Sequence, residues 1–121
     1  MLFIFTAITI SIIWVGCQYK KEAIAYPTPV TCDTATVKYS TDIVPILQAN
    51  CYACHSNANA NSFGGGNKLE CYSNILPYAQ FGSLVNAITR TVNSMPKGSP
   101  KMSDCNIAKI RTWVRNGYPN N

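Results

Sequence analysis

Residues 51–55 read Cys-Tyr-Ala-Cys-His, and the stretch before them, from Asp42 to Asn50, reads DIVPILQAN. The apolar residues of that stretch fall on one face of a helix; they are Ile43, Ile46 and Leu47. Pro45 is tolerated in a first helical turn, where its missing N–H would have no partner, and Asp42 is a favourable N-cap. The sequence therefore predicts a short helix from about Ile43 into the cysteine segment.

A Cys-x-x-Cys-His sequence is typical of covalent attachment of a c-type haem. Two thiols separated by two residues at a helix terminus can each add to one haem vinyl group, and the adjacent imidazole can then reach the iron. Cys51 and Cys54 are thus the predicted attachment sites of one haem c, and His55 is the predicted iron ligand. His55 is the only histidine in the chain, which excludes bis-histidine ligation within it.

Three other kinds of protein contain a Cys-x-x-Cys pair. A thioredoxin-like pair lies beside a βαβ pattern, which this sequence lacks. A zinc site needs four ligands, and neither a second Cys-x-x-Cys nor a His-x-His is present. A chance match in a disulfide-bonded protein is the third alternative.

Two methionines after the motif can supply a sixth iron ligand. Met95 stands in the irregular segment 94–101, which can approach the iron without breaking a helix, and Pro96 constrains the chain beside it. Met102 lies at the entrance to the last helix and is suited to fill a gap beneath it. Met95 is the favoured ligand and Met102 the runner-up, and an open or water-filled sixth position is the alternative to both.

The remaining segments are helices and loops. The Gly- and Asn-rich stretch 57–68 predicts a loop, and residues 69–79 have a weak helical pattern that Pro77 interrupts. A clearer helix is predicted over 83–93, with Ser83 as a possible cap. Its apolar stripe consists of Leu84, Val85, Ile88 and Val92.

The last helix is marked at both ends. Ser103 is its predicted N-cap, Asp104 suits its positive end, and Gly117 fits the position just after its last turn. Its apolar stripe consists of Ile107, Ile110, Trp113 and Val114. Because no β-branched run in strict alternation follows the N-terminal segment, the sequence predicts a small all-α fold.

The N-terminal segment 1–16 is apolar and carries no charged residue. It is shorter than the roughly 20 residues of a membrane-spanning helix, and its length suits a secretory signal peptide. No Lys or Arg precedes the apolar run, so either the true start lies upstream of Met1 or the signal is atypical.

Val15-Gly16-Cys17 resembles the lipobox of bacterial lipoproteins, although Trp14 stands where Leu is usual. The resemblance implies that Cys17 carries lipid and is the mature N-terminus, followed by a tether over 17–31. A signal cleaved elsewhere is the alternative. The lipid implies a periplasm-facing protein anchored to a bacterial membrane, in a compartment where the remaining cysteines can pair.

From Cys32 to Asn121 the chain resembles a monohaem class I-type cytochrome c domain, especially the small cytochrome c lipoproteins of Bacteroidetes-like bacteria. The matching segments are 39–47, 50–56, 95–98, 101–110, 113–114 and 117–121. The resemblance implies a small cytochrome c fold, with three to five helices around one haem. It also implies Met95 as the sixth ligand and a crossing of the first and last helices near the haem edge.

Three cysteines remain for a disulfide: Cys32, Cys71 and Cys105. Cys32 precedes the first helix and Cys105 opens the last, so the two meet if those helices pack together. The resemblance favours this pair, and Cys71–Cys105 is the runner-up. Cys71 is then expected to be a small, buried apolar side chain.

The composition excludes some classes of protein and function. Only 12% of the residues are charged and 47% are hydrophobic, which excludes a highly charged disordered chain. The net charge is +5, but the basic residues do not form a stripe interleaved with aromatic residues. Nucleic-acid binding is therefore not expected.

A haem with both axial positions filled has no site for a substrate, so we expect a carrier of single electrons and not an enzyme. Its expected partners are redox proteins that dock at a basic rim near Lys97 and Lys101. The alternatives are a haem enzyme or gas sensor with an open sixth position, and a cytochrome subunit of a larger respiratory complex.

Overall fold

The computed structural model of the protein describes residues 31–121, which form one compact unit, Thr31–Asn121. A π-helical turn, Tyr39–Ile43, is followed by five α-helices and, within those residues, no strand. The helices are α1 (Val44–Asn50), α2 (Tyr52–His55), α3 (Tyr72–Gln80), α4 (Ser83–Thr89) and α5 (Asp104–Arg115). The predicted all-α class is confirmed for this part of the chain. The predicted signal peptide, the lipidated Cys17 and the tether up to Val30 lie outside the described residues.

The first helical segment begins earlier than the sequence predicts. Pro45 lies in the first turn of α1, as expected, but the π-helical turn already contains Asp42, which is not the N-cap of α1. The Asp42 carboxylate instead accepts a hydrogen bond from the Lys38 backbone N–H at 3.0 Å. It also accepts one from Lys109 Nζ on α5 at 2.7 Å. Asp42 therefore joins the start of the helical region to the last helix.

The core lies between the π-helical turn, α1 and α5, with α3 and α4 completing it. Its largest fully buried side chains are Ile43, Leu47, Ile75, Ile110 and Trp113. Full burial of an Ile or Leu side chain contributes about 1.5–3 kcal/mol. The Trp113 ring stacks on Tyr39 with 5.4 Å between centroids, and its Nε1–H donates to the Pro119 carbonyl at 3.0 Å.

Helix α3 continues through Pro77, which the sequence predicts as a break. A proline at this position cannot donate to the Ser73 carbonyl one turn earlier. Both Ser73 and Pro77 are exposed, so water can hydrate that carbonyl. This exposure explains why the helix tolerates the proline.

Helix α4 is shorter than predicted and has a different cap. It ends at Thr89 instead of Asn93, and Val92 is 72% exposed and not part of the buried stripe. Its N-cap is Gly82, whose φ of 73° is a left-handed conformation that favours glycine. The neighbouring Ser83 hydroxyl donates to the Tyr78 carbonyl at 3.2 Å and does not cap the helix.

Both ends of α5 agree with the sequence. The Ser103 hydroxyl accepts from the Asn106 N–H at 3.2 Å, which is the predicted N-cap. Gly117 follows the last turn with a φ of 83°, as expected of a residue that ends a helix. Among the described residues, none of the helices has the length and apolar run that a membrane crossing demands.

A disulfide joins Cys32 to Cys105 across a Cα–Cα distance of 5.4 Å. This is the pair that the resemblance favours. Cys71 is exposed, so the expectation of a buried apolar side chain is wrong. Cys71 occupies the N-cap of α3 in an extended conformation, outside the packed face of the helix.

Candidate functional site

A cavity of about 540 Å³ opens beside α2, α4 and the segments on either side of them. Its lining includes three of the residues that the sequence singles out, Cys51, His55 and Met95. Leu69, Leu84 and Ile88 contribute apolar walls. The fold therefore brings Cys51, His55 and one candidate methionine to the same cavity, although 40 positions separate His55 from Met95.

The cysteine motif occupies the break between two helices. Cys51 ends α1 and precedes α2, with φ −121° and ψ −37°. Its carbonyl accepts from the N–H groups of Cys54 at 3.1 Å and His55 at 2.8 Å. This single turn presents Cys51 and His55 to the cavity, while Cys54 is exposed and is not part of the cavity lining.

The His55 imidazole is held by a loop that comes later in the chain. Its Nδ1 lies 2.8 Å from the backbone carbonyl oxygen of Asn67. A hydrogen bond to that carbonyl requires the proton on Nδ1, which leaves the Nε2 lone pair free for a metal ion. Histidine ligands of metals almost always donate their other ring N–H in this way.

Gly64 allows this loop to approach the motif. A Cβ atom at position 64 would lie 2.6 Å from the Cys54 carbonyl oxygen and 2.8 Å from His55 Nδ1, closer than real Cβ contacts allow. The sequence predicts only a loop here. The run of three glycines was the available signal, but it does not indicate which of them packs against the histidine.

The two candidate methionines are in different surroundings. Met95 is half-buried and lines the cavity, and its N–H donates to the Ala87 carbonyl at 2.8 Å. This bond ties the Met95 segment to the end of α4. Met102 is 5% exposed and belongs to the hydrophobic core, and it is not part of the cavity lining.

The Cys51 thiol is not poised for thiol–disulfide exchange. Burial raises its pKa to about 11, so the thiol stays protonated at neutral pH. Catalytic Cys-x-x-Cys pairs instead have a cysteine of lowered pKa. This environment argues against the thioredoxin-like alternative.

Positively charged side chains are found in the cavity lining and in the segment that follows Met95. Arg90 carries the one permanent charge of the lining, and its Nε–H donates to the Asn93 carbonyl at 2.7 Å. Lys97 and Lys101 are both exposed. Lys101 pairs with Asp104 at 3.2 Å, whereas Lys97 has no ion pair among residues 31–121.

Within residues 31–121, no group of three or more His, Cys, Asp or Glu side chains converges as a metal site of those ligands would require. Comparison of the chain with protein-family models, with curated proteins and with solved structures finds no match. The candidate site consists of Cys51, His55, Met95 and the loop that holds the imidazole, with Cys54 exposed in the adjoining turn.

Proposed function

We propose that this protein is a monohaem c-type cytochrome that carries single electrons between redox partners. The observation that carries the proposal is the shared cavity of Cys51, His55 and Met95, in which the Asn67 carbonyl orients the imidazole. The cavity volume of about 540 Å³ lies within the ~300–1,000 Å³ typical of cofactor sites.

Cys51, His55 and Met95 line the cavity, and Cys54 lies in the turn that begins at Cys51, so these four residues could hold a covalently bound haem. Each thiol of Cys51 and Cys54 would add across one vinyl C=C bond, forming a C–S bond while its hydrogen goes to the other carbon, so no oxidant is needed. His55 Nε2 and the Met95 sulfur would hold its iron. Bound haem supplies reversible one-electron exchange at its iron, and methionine as the second ligand raises the reduction potential.

The rest of the cavity suits this cofactor. Leu69, Leu84 and Ile88 would exclude water from a bound apolar ring. The Arg90 guanidinium can pair with a carboxylate such as a haem propionate. Because His55 and Met95 would both bind the iron, little room would remain there for a substrate, which favours electron transfer over catalysis.

The proposal includes a location and a partner surface. Lipid on Cys17 would hold the domain at a bacterial membrane, facing the periplasm. Lys97 would attract an acidic partner more effectively than Lys101, because the latter is already paired with Asp104. Such rim charges act on the association rate more than on affinity.

The test is expression together with a haem-attachment system, followed by optical spectra and a pyridine haemochrome assay. We expect a covalent haem in the wild-type protein and in Cys71→Ser, a matched control because Cys71 is also a free, exposed thiol. Cys51→Ala and Cys54→Ala should each reduce stable incorporation, and His55→Ala should abolish it. Equal haem content in all five proteins, or none in the wild type, would overturn the proposal.

A further inference from the structure

Asn67 forms hydrogen bonds through both polar atoms of its side-chain amide and through its backbone carbonyl. Its Oδ1 accepts from the Tyr78 hydroxyl at 3.0 Å, and its Nδ2 donates to the Gly64 carbonyl at 3.0 Å. Its own backbone carbonyl accepts from His55 Nδ1 at 2.8 Å. A continuous chain of hydrogen bonds therefore runs from Tyr78 through Asn67 to His55.

These hydrogen bonds connect helix α3 to helix α2. Tyr78 lies near the end of α3 and packs against the hydrophobic core, whereas His55 ends α2. The loop that carries Asn67 lies between them in sequence. All three residues line the same cavity, so the well-packed helix α3 gives the loop a fixed attachment point beside the imidazole.

We infer that Tyr78 is a positioning residue for His55, acts through Asn67, and thereby adjusts the reduction potential of the iron. The inference rests on the proposed function. A firmly held acceptor on Nδ1–H makes the imidazole a stronger electron donor, which stabilises oxidised iron. Removing the Tyr78 hydroxyl takes away one of the two hydrogen bonds that hold the Asn67 side chain and leaves only the bond to Gly64. The loop is then held less firmly, which weakens the bond to Nδ1–H and raises the potential.

The test compares Tyr78→Phe with Tyr72→Phe in the haem-loaded protein. Tyr72 is on the same helix and also loses one hydroxyl hydrogen bond, 2.7 Å long, to the Tyr118 carbonyl. Tyr72 is not part of the cavity lining. We expect both variants to lose stability, but only Tyr78→Phe to raise the potential and to shift the His55 ring signals in the NMR spectrum of the oxidised protein.

A second variant tests the route through Asn67. Asn67→Ala should raise the potential as Tyr78→Phe does, and the double variant should show no shift beyond that of Asn67→Ala. Additive shifts would contradict action through Asn67. An unchanged potential and unchanged His55 signals in haem-loaded Tyr78→Phe would overturn this inference alone, whereas a wild-type protein without haem would overturn it together with the proposed function.

Discussion

The Asn67 carbonyl oxygen lies 2.8 Å from Nδ1 of His55. The loop that carries Asn67 begins after His55 and folds back against it. The return depends on the absence of a side chain at Gly64, where a Cβ atom would meet the Cys54 carbonyl at 2.6 Å. Backbone atoms cannot move aside as a flexible side chain can. The histidine is therefore oriented by close backbone packing as well as by the hydrogen bond.

Gly64→Ala should displace the loop and weaken the bond to His55. We expect a loss of about 1–3 kcal/mol in the free energy of unfolding, as for other overpacked sites, together with altered His55 ring signals. Gly66→Ala is the control, because a Cβ there meets nothing within 4 Å and only its φ of 81° is unfavourable. Unaltered His55 signals in Gly64→Ala would show that the close approach does not orient the ring.

Asp42→Asn should destabilise the fold by about 1 kcal/mol, because it removes the charge that holds Lys109 at 2.7 Å. The hydrogen bond from Lys109 and that from the Lys38 N–H lower the pKa of Asp42. This stabilisation is thus fully present above the unfolded-state pKa of about 4 and is lost as the pH falls through the lower folded-state pKa.

Urea unfolding of wild type and Asp42→Asn at several pH values measures this difference. The gap in unfolding free energy should be constant near neutral pH and close in acid. Asp33→Asn is a matched control, because an Asn oxygen can still accept from the Ala35 N–H, as Asp33 does at 2.9 Å. A gap that widens in acid would contradict the ion-pair assignment.

Replacing both Cys32 and Cys105 with Ser should lower the free energy of unfolding by about 2–4 kcal/mol, because their disulfide closes a loop with a sequence separation of 73. Cys71→Ser, which alters an exposed thiol, should change it by no more than about 0.5 kcal/mol. Thermal or chemical unfolding under non-reducing conditions gives both values. A larger effect of Cys71→Ser would point to the Cys71–Cys105 pairing.

The end signals of α5 could be read from the sequence because they are local: Ser103 bonds within one helical turn, and Gly117 needs only its own backbone freedom. The end of α4 could not, because the Met95 N–H meets the Ala87 carbonyl only once the chain has left the helix at Thr89. Helical periodicity continues to Val92 but carries no information about this contact.

The residues of the candidate site show the same difference between local signals and long-range contacts. The spacing of Cys51, Cys54 and His55 is itself the signal, so these residues were accessible to sequence reasoning. Asn67 was not, because its contact with His55 spans 12 residues of irregular chain and follows no period. The exposure of Cys71 was also beyond reach, since it depends on where α3 begins.

Met95→Ala in the haem-loaded protein should lower the reduction potential and open the iron to cyanide or carbon monoxide, because Met95 lines the cavity and its thioether favours reduced iron. Met102→Leu should leave both properties nearly unchanged and cost less than about 1.5 kcal/mol of stability, since it conserves volume in the core. Redox titration and ligand-binding spectra measure these effects. The reverse pattern would make Met102 the ligand, and no effect of either would favour an open sixth position.

The most direct test of the central claim is the intact mass of the denatured protein, purified from cells that contain a haem-attachment system. Because denaturation releases every ligand that is not covalently bound, we expect the mass of the polypeptide plus one haem. The Cys51→Ala/Cys54→Ala double variant should lack that added mass, and Cys71→Ser should retain it. A wild-type mass without haem would contradict the claim that Cys51 and Cys54 attach the cofactor.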